Sequence, residues 1–268
     1  MREIHTAFAP RVVYRKMGEG PVAILLHGFP ESGTLWRNVW DKLSERYTLI
    51  IPDLPGAGQS TINNYVSLTQ MADAIKAIAD AEQAESIVLI GHSMGGYVAF
   101  VFAAAYPAMV KGLTLVHSGP MADDEEKKKT RQKVVDFVQR GHKKEFLEQM
   151  VPGLFAPGFI QTAPDKVKEQ VSSAMELESN ALVNFYKAMM ERPQHTDVLV
   201  QANFPVQWII GAKDALMPPL KLISYAHTSA VNFTSYYTEA GHMSMIEDPE
   251  RLQTDLAYFL DYCYRNDR

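Results

Sequence analysis

Among 268 residues there is one cysteine, Cys263. A lone thiol excludes an internal disulfide and fits a reducing compartment. Cys263 falls in the last amphipathic pattern and reads as core filler, not as a nucleophile. No apolar run approaches the roughly 20 residues that a membrane helix requires. Met1-Arg2-Glu3-Ile4-His5-Thr6 lacks the apolar centre of a signal peptide. Positive charge is also scarce: 26 Lys and Arg against 31 Asp and Glu leave a net charge of −5. That balance argues against a general nucleic-acid surface and mildly favours neutral or cationic ligands. There is no internal repeat and no low-complexity tract. The absences lead to the expectation of a cytoplasmic protein, monomer or homodimer, that meets a small molecule and neither nucleic acid nor membrane.

What is present is a regular alternation. Short strands are read at 3–8, 11–16, 21–26, 47–52, 87–90, 112–117, 204–210 and 233–237, bounded by turn formers. Helical spacing joins many of them: 33–44 with Leu35, Trp36, Val39, Trp40 and Leu43 on one face, 68–81 with Met71, Ile75 and Ile78, and 249–264 with Leu252, Leu256, Phe259 and Leu260. Such alternation predicts an α/β fold, a mostly parallel sheet of eight strands with helices on both faces. Ligands in such sheets sit at the carboxyl ends of the strands. Between residues 120 and 202 only helical patterns occur, starting at 123–129 and recurring at 142–150, 164–176, 179–191 and 195–202. Residues 1–119 and 203–268 are therefore expected to form the core, with 120–202 as an inserted helical cap. Asp123 to Lys129 reads as a solvated helix start, acids before bases.

The strand at 87–90 runs into Gly91-His92-Ser93-Met94-Gly95, and an alanine-rich apolar helix follows until Pro107. A sharp strand-to-helix turn needs glycine where backbones approach. It also lifts the Ser93 hydroxyl beside a helix N-terminus, which favours negative charge. This stretch resembles the nucleophile elbow of the α/β-hydrolase superfamily. A serine hydroxyl needs a base, and the base needs an orienting group. His242, in a loop after the last strand that could swing an imidazole toward Ser93, is the best base. Asp214, just past another strand, is the best acid, and Ser93, Asp214, His242 is the chain order of that fold.

The tetrahedral intermediate of acyl transfer requires donors aimed at its oxyanion. The resemblance implies the backbone N–H of Met94 and that of Phe29, in His27-Gly28-Phe29-Pro30. That loop looks like the one in epoxide hydrolases and, less closely, haloalkane dehalogenases. Those relatives use an aspartate nucleophile. A serine alkoxide opening an epoxide would leave an ether that water cannot cleave, so Ser93 points to acyl chemistry.

His27 is expected to brace its own loop, and His92 to point away from Ser93. His117 is balanced between lining the pocket and a structural role. Asp53 belongs to a structural turn, and Asp123 and Asp124 rank below Asp214 as the acid. Phe155, Phe185, Tyr186, Met189 and Met243 are the remaining candidates for an apolar pocket. No metal and no cofactor are expected. The implied activity is a serine hydrolase of the carboxylesterase kind. It would cleave a carboxylic ester, or a related acyl bond, of a small to medium, largely apolar substrate through an acyl-enzyme. The alternatives are a ligand-sensing member with little turnover, a lactonase, a carbon–carbon hydrolase, a cofactor-free haloperoxidase, or a proline iminopeptidase using Glu176, Glu178 or Glu191.

Overall fold

In the computed structural model, which describes residues 1–265, the first layer is a sheet of eight strands. In chain order these are β1 (Arg2–Ile4), β2 (Val12–Met17), β3 (Val22–Leu26), β4 (Thr48–Pro52), β5 (Ile87–His92), β6 (Val110–Val116), β7 (Val206–Gly211) and β8 (Asn232–Tyr237). Their spatial order is β1-β2-β4-β3-β5-β6-β7-β8. The pairs β1–β2 and β2–β4 are antiparallel, and every pairing from β4 to β8 is parallel. The opening strand ends at Ile4, not at residue 8, because Thr6 and Ala9 close a turn through Ala9 N–H donating to Thr6 Oγ1.

Strands β4, β5 and β7 are buried along their whole length. A strand with apolar side chains on both faces must be covered on both. Two glycines reveal how. A methyl group on Gly91 would meet Gly96, and one on Gly112 would meet Cys263 and Phe259. Gly112 is in register with Val88, three residues before Gly91. Side chains alternate along a strand, so the helices holding Gly96 and Cys263 cover opposite faces of the sheet. The first is α3 (Met94–Ala105), buried on every side from Met94 to Ala103 as its apolar sequence dictates, with α2 (Leu68–Ala81) beside it. α2 starts at a reciprocal cap in which Ser67 and Gln70 each accept the other's backbone N–H. The second is α12 (Pro249–Cys263), packed with α1 (Arg37–Ser44). Cys263 is held there as a neutral thiol, burial pushing it up to about 12.

Between β6 and β7 the chain is helical: α4 (Glu125–Gln139), α5 (Lys143–Met150), α6 (Pro157–Thr162), α7 (Pro164–Met175), α8 (Ser179–Glu191) and α9 (Thr196–Val200). α6 lies in a stretch without helical spacing; Pro157 at its first turn starts it. The short helices α10 (Pro219–Ile223) and α11 (Ser244–Glu247) follow β7 and β8. No helix is long and apolar enough to cross a membrane among the described residues.

Two buried polar groups hold this helical segment, one by tying it to the core and the other by tying it to itself. Asn184 on α8 accepts from the Val66 N–H at 2.7 Å and donates to the Val66 carbonyl at 3.0 Å. Arg192, just past α8, donates to the carbonyls of Met121 and Met189, both at 2.9 Å. Asn184→Ala would strand both Val66 groups in the interior, at about 1–3 kcal/mol each. It is expected to lower unfolding stability by about 2–6 kcal/mol, read from the midpoint of urea denaturation; an unchanged midpoint would refute the docking role.

Candidate active site

β5 ends at His92, and α3 begins at Met94. The single residue between them, Ser93, has φ +49° and ψ −116°. A non-glycine residue there is strained and is held only by its surroundings. Its N–H donates to the Val116 carbonyl, and its carbonyl accepts from Gly96 N–H and Ser118 Oγ. Gly91 and Gly95 admit no side chain. A Cβ on Gly95 would lie 2.4 Å from the Leu26 carbonyl oxygen and 2.5 Å from that of His27. The first turn of α3 is thereby pressed against the end of β3, and Met94, at the first helical position, has no intrahelical acceptor for its N–H. The same contact brings the His27–Pro30 loop alongside. His27 accepts from Leu54 N–H through Nε2 and donates from Nδ1 to the Gly28 carbonyl. It braces two loops, and burial keeps its pKa low.

Asp214 follows β7 and is buried. One oxygen accepts from the N–H groups of Leu216 and Met217, both at 2.9 Å; the other accepts from His242 Nδ1–H at 2.7 Å. That bond leaves Nε2 of His242 as a free lone pair, buried and without a partner among the described residues. Burial alone would lower the His242 pKa. The Asp214 charge and hydrogen bond, helped by Glu31 and Glu247, outweigh it and raise the pKa above the usual value. Asp214 is held low despite burial, chiefly by the His242 charge.

The loop that carries His242 is tied at both the N–H and the carbonyl of that residue. Its N–H donates to the Leu154 carbonyl at 2.7 Å, and its carbonyl accepts from His92 Nε2–H at 2.9 Å. Half-buried Glu247 accepts from the N–H groups of Gly241, Met243 and Ala156. The expected mobile loop is a clamped one, because its backbone donors are tied from both sides. Sequence reading passed over Glu247; the available signal was Ser244-Met245-Ile246-Glu247, a helix-start spacing.

A cavity of about 180 Å³ opens onto Ser93 and His242. Of the residues expected to line it, Tyr186 and Met189 do so, and Phe29, expected only for its backbone N–H, lies in the wall as well. Phe185, Phe155, Met243 and His117 lie outside its lining. Phe185 is fully buried with its ring edge-on to Phe29, Phe155 stacks on Phe159 at 5.5 Å, and Met243 is enclosed behind the His242 loop. His117, itself at φ +49°, sits behind the acid: Nδ1 lies 3.5 Å from Asp214, and Nε2 bonds Ser244 Oγ at 2.9 Å. Burial holds its pKa down to about 3, so it stays neutral. Leu154, another apolar residue of the cap, lines it too, and Tyr97, Lys127, Arg131, Met150, Leu216 and Met217, none of them foreseen as pocket residues, contribute to the wall. Their positions depend on how helices pack from distant segments, which local spacing does not report. Asp123 is buried away from His242 and paired with Arg131 and Arg192. The nitrogen and oxygen atoms of His117, Asp214 and His242 lie within 4.8 Å of one another, close enough to hold a metal ion. Asp214 and His242 already satisfy each other there in the hydrogen bond at 2.7 Å, while His117 Nδ1 stands 3.5 Å from the same oxygen without bonding it.

Glu31 carries a different signal. It is buried, neither oxygen has a hydrogen-bond partner among the described residues, and His92 Nδ1 is 3.8 Å away. Burial pushes its pKa up to about 7. The folded state therefore binds a proton more tightly than the unfolded chain, and stability is lost as pH rises from about 4.5 to about 7. Glu31→Gln should remove that loss, raising Tm at pH 8 while changing it little at pH 4.5. Equal shifts at both pH values would refute a protonated Glu31.

The family model for the alpha/beta hydrolase fold matches residues 21–249. The chain is 26% identical over 277 residues to a pimeloyl-[acyl-carrier protein] methyl ester esterase of Pseudoalteromonas atlantica, covering 94% of this chain and 98% of that one. Among solved structures, a thermophilic esterase from Thermogutta terrifontis with malate bound superposes with TM-score 0.93 at 29% identity, covering 98% of each chain. An esterase from Exiguobacterium antarcticum superposes with TM-score 0.86 at 18% identity over 97% of this chain and 98% of that one, a likeness of fold. The strand order, the serine turn between β5 and α3, and a family match that spans the sheet from β3 to the start of α12 agree: the chain belongs to the α/β-hydrolase fold family.

Proposed function

We propose that this α/β-hydrolase is a serine esterase that works through an acyl-enzyme on small to medium esters. The observation that carries the reading is the His242 imidazole, fixed by Asp214 on one nitrogen and open on the other toward the cavity that Ser93 also faces. The named esterases among its relatives support ester cleavage in general.

In the proposed reaction His242 Nε2 takes the Ser93 hydroxyl proton as Oγ attacks the ester carbonyl carbon. The carbonyl π bond becomes an oxyanion, met by the N–H groups of Phe29 and Met94, each such donor contributing about 3–4 kcal/mol. The oxyanion collapses, the C–O bond to the alcohol breaks, and the imidazolium returns the proton to the leaving oxygen. Water deprotonated by His242 then attacks the acyl carbon, the bond to Ser93 Oγ breaks as the imidazolium returns the proton to that oxygen, and the acid is released. Asp214 stays ionised and fixes the tautomer throughout. Residues 120–202 act as a cap that closes the cavity from above, with Tyr186 and Met189 on its inner side. Glu176, Glu178 and Glu191 do not line the cavity, so nothing there favours an iminopeptidase.

A fluorophosphonate should label wild type at Ser93, and p-nitrophenyl butyrate should be hydrolysed. Ser93→Ala should lose both, and an active Ser93→Ala protein would end the mechanism. Asp214→Asn should lower kcat by about 10⁴ through the wrong tautomer. Because the His242 pKa is raised, the acid limb of kcat/KM should have its midpoint above about 6.5, and a midpoint below that would contradict the Asp214 pairing.

A further inference from the structure

The cavity at Ser93 has two unlike walls. Phe29, Met150, Leu154 and Met189 make one side apolar. Another part of the wall is a face of α4, where Lys127, Thr130, Arg131 and Val134 follow the spacing i, i+3, i+4, i+7. Among the described residues no aspartate or glutamate lines the cavity. The whole chain carries a net charge of −5, so this wall opposes the overall balance.

One carboxylate, Asp123, lies behind the cationic face and is shared three ways. It accepts from Arg131 Nε at 2.6 Å and pairs with Arg192 at 2.9 Å, while Lys127 Nζ is 3.8 Å away. Arg192 is turned inward, its guanidinium over the Tyr97 ring at 4.0 Å and its remaining donors on backbone carbonyls. Three cations around one anion leave two positive charges uncompensated. The neighbouring lysines are placed differently: Lys128 and Lys129 each pair with an acid one turn earlier, Glu125 and Glu126, on the solvent side. Only Lys127 and Arg131 of this basic run reach the cavity. Burial and the charge of Arg131 hold Lys127 below the usual lysine range, which marks a site where an added anion would be welcome.

Resting on the ester-hydrolase reading above, we propose that the substrate is an anionic ester, a short half-ester whose free carboxylate sits against Lys127 and Arg131 while its ester carbonyl faces Ser93. The two cations select the substrate and take no part in bond making. The charge of the chain as a whole suggests neutral or cationic ligands, and the wall of this cavity reverses that expectation. A partly desolvated carboxylate between Lys and Arg gains charge-assisted hydrogen bonds that an aliphatic end cannot make.

Three methyl esters of matched length test this: monomethyl glutarate, methyl pentanoate and methyl 4-aminobutanoate, with anionic, neutral and cationic ends. Wild type should favour the anionic ester over the neutral one in kcat/KM by about tenfold or more, and the cationic ester should be worst. Lys127→Glu should reverse the order of anionic and cationic esters, and Lys127→Met should shrink the anionic preference. Each comparison is a ratio within one protein, so a smaller folded fraction cancels. Raising the salt concentration should narrow the wild-type ratio. If methyl pentanoate is cleaved as well as monomethyl glutarate, or if Lys127→Glu keeps the anionic preference, the substrate assignment is wrong while the esterase reading stands. If no ester is cleaved, the esterase reading fails. Calorimetric titration of Ser93→Ala with monomethyl glutarate and methyl pentanoate then decides the anion site alone: tenfold tighter binding of the anion upholds it, and equal binding overturns it.

Discussion

The turn at Ser93 depends on backbone approaching backbone where no side chain fits. Gly91 and Gly95 let the first turn of α3 lie against the ends of β3 and β5. In exchange the chain accepts a serine at positive φ, tied down through the Val116 carbonyl on one side and through Gly96 and Ser118 on the other. That one contact sets the height of the hydroxyl above the sheet, aims a free N–H from the helix start, and draws the Phe29 loop alongside. The parallel sheet supplies the rest, because β7 and β8 end at the same edge and deliver Asp214 and His242 there. A strained residue in a rigid frame of this kind is placed before any substrate arrives.

Much of the frame was legible because its signals are local. The apolar runs of β3, β4 and β5 and the punctuation around them define strands whatever else the chain does. α2 carries its own reciprocal cap, and α8 its own helical period, so the limits 68–81 and 179–191 match the observed helices. The β1 limit failed where a turn of polar contacts, Thr6 with Ala9, competes with extended backbone. α6 failed because six residues begun by a proline leave no periodic record.

The site divides in the same way. Ser93, Asp214 and His242 stand out because each occupies the loop after a strand, and the carboxyl edge of a parallel sheet is a property of topology. The pocket wall does not share that origin. Phe185 and Phe155 are apolar residues of the helical segment like Tyr186 and Met189, yet they face inward to the core, and nothing in their spacing separates the two groups. Lys127 and Arg131 lie in a basic run that reads as solvated surface. Only the packing of α4 over the serine turns those two of its charges inward. Buried Glu31 was equally silent, and the helix-start spacing at Glu247 says nothing of the loop its carboxylate holds, since the surroundings of a carboxylate are decided by tertiary neighbours.

Glu247 has a consequence for how this molecule could be recombined with its relatives. Its carboxylate joins the His242 loop to the Ala156 N–H, while Leu154 holds the His242 N–H directly. Residues 154–156 belong in sequence to the helical segment and in structure to the catalytic loop. A chimera that exchanges the whole segment from 120 to 202 would therefore cut through the support of its own base. A graft joined after residue 156 would carry a new lid onto an intact catalytic frame, so the boundary between exchangeable and fixed parts lies inside the helical segment.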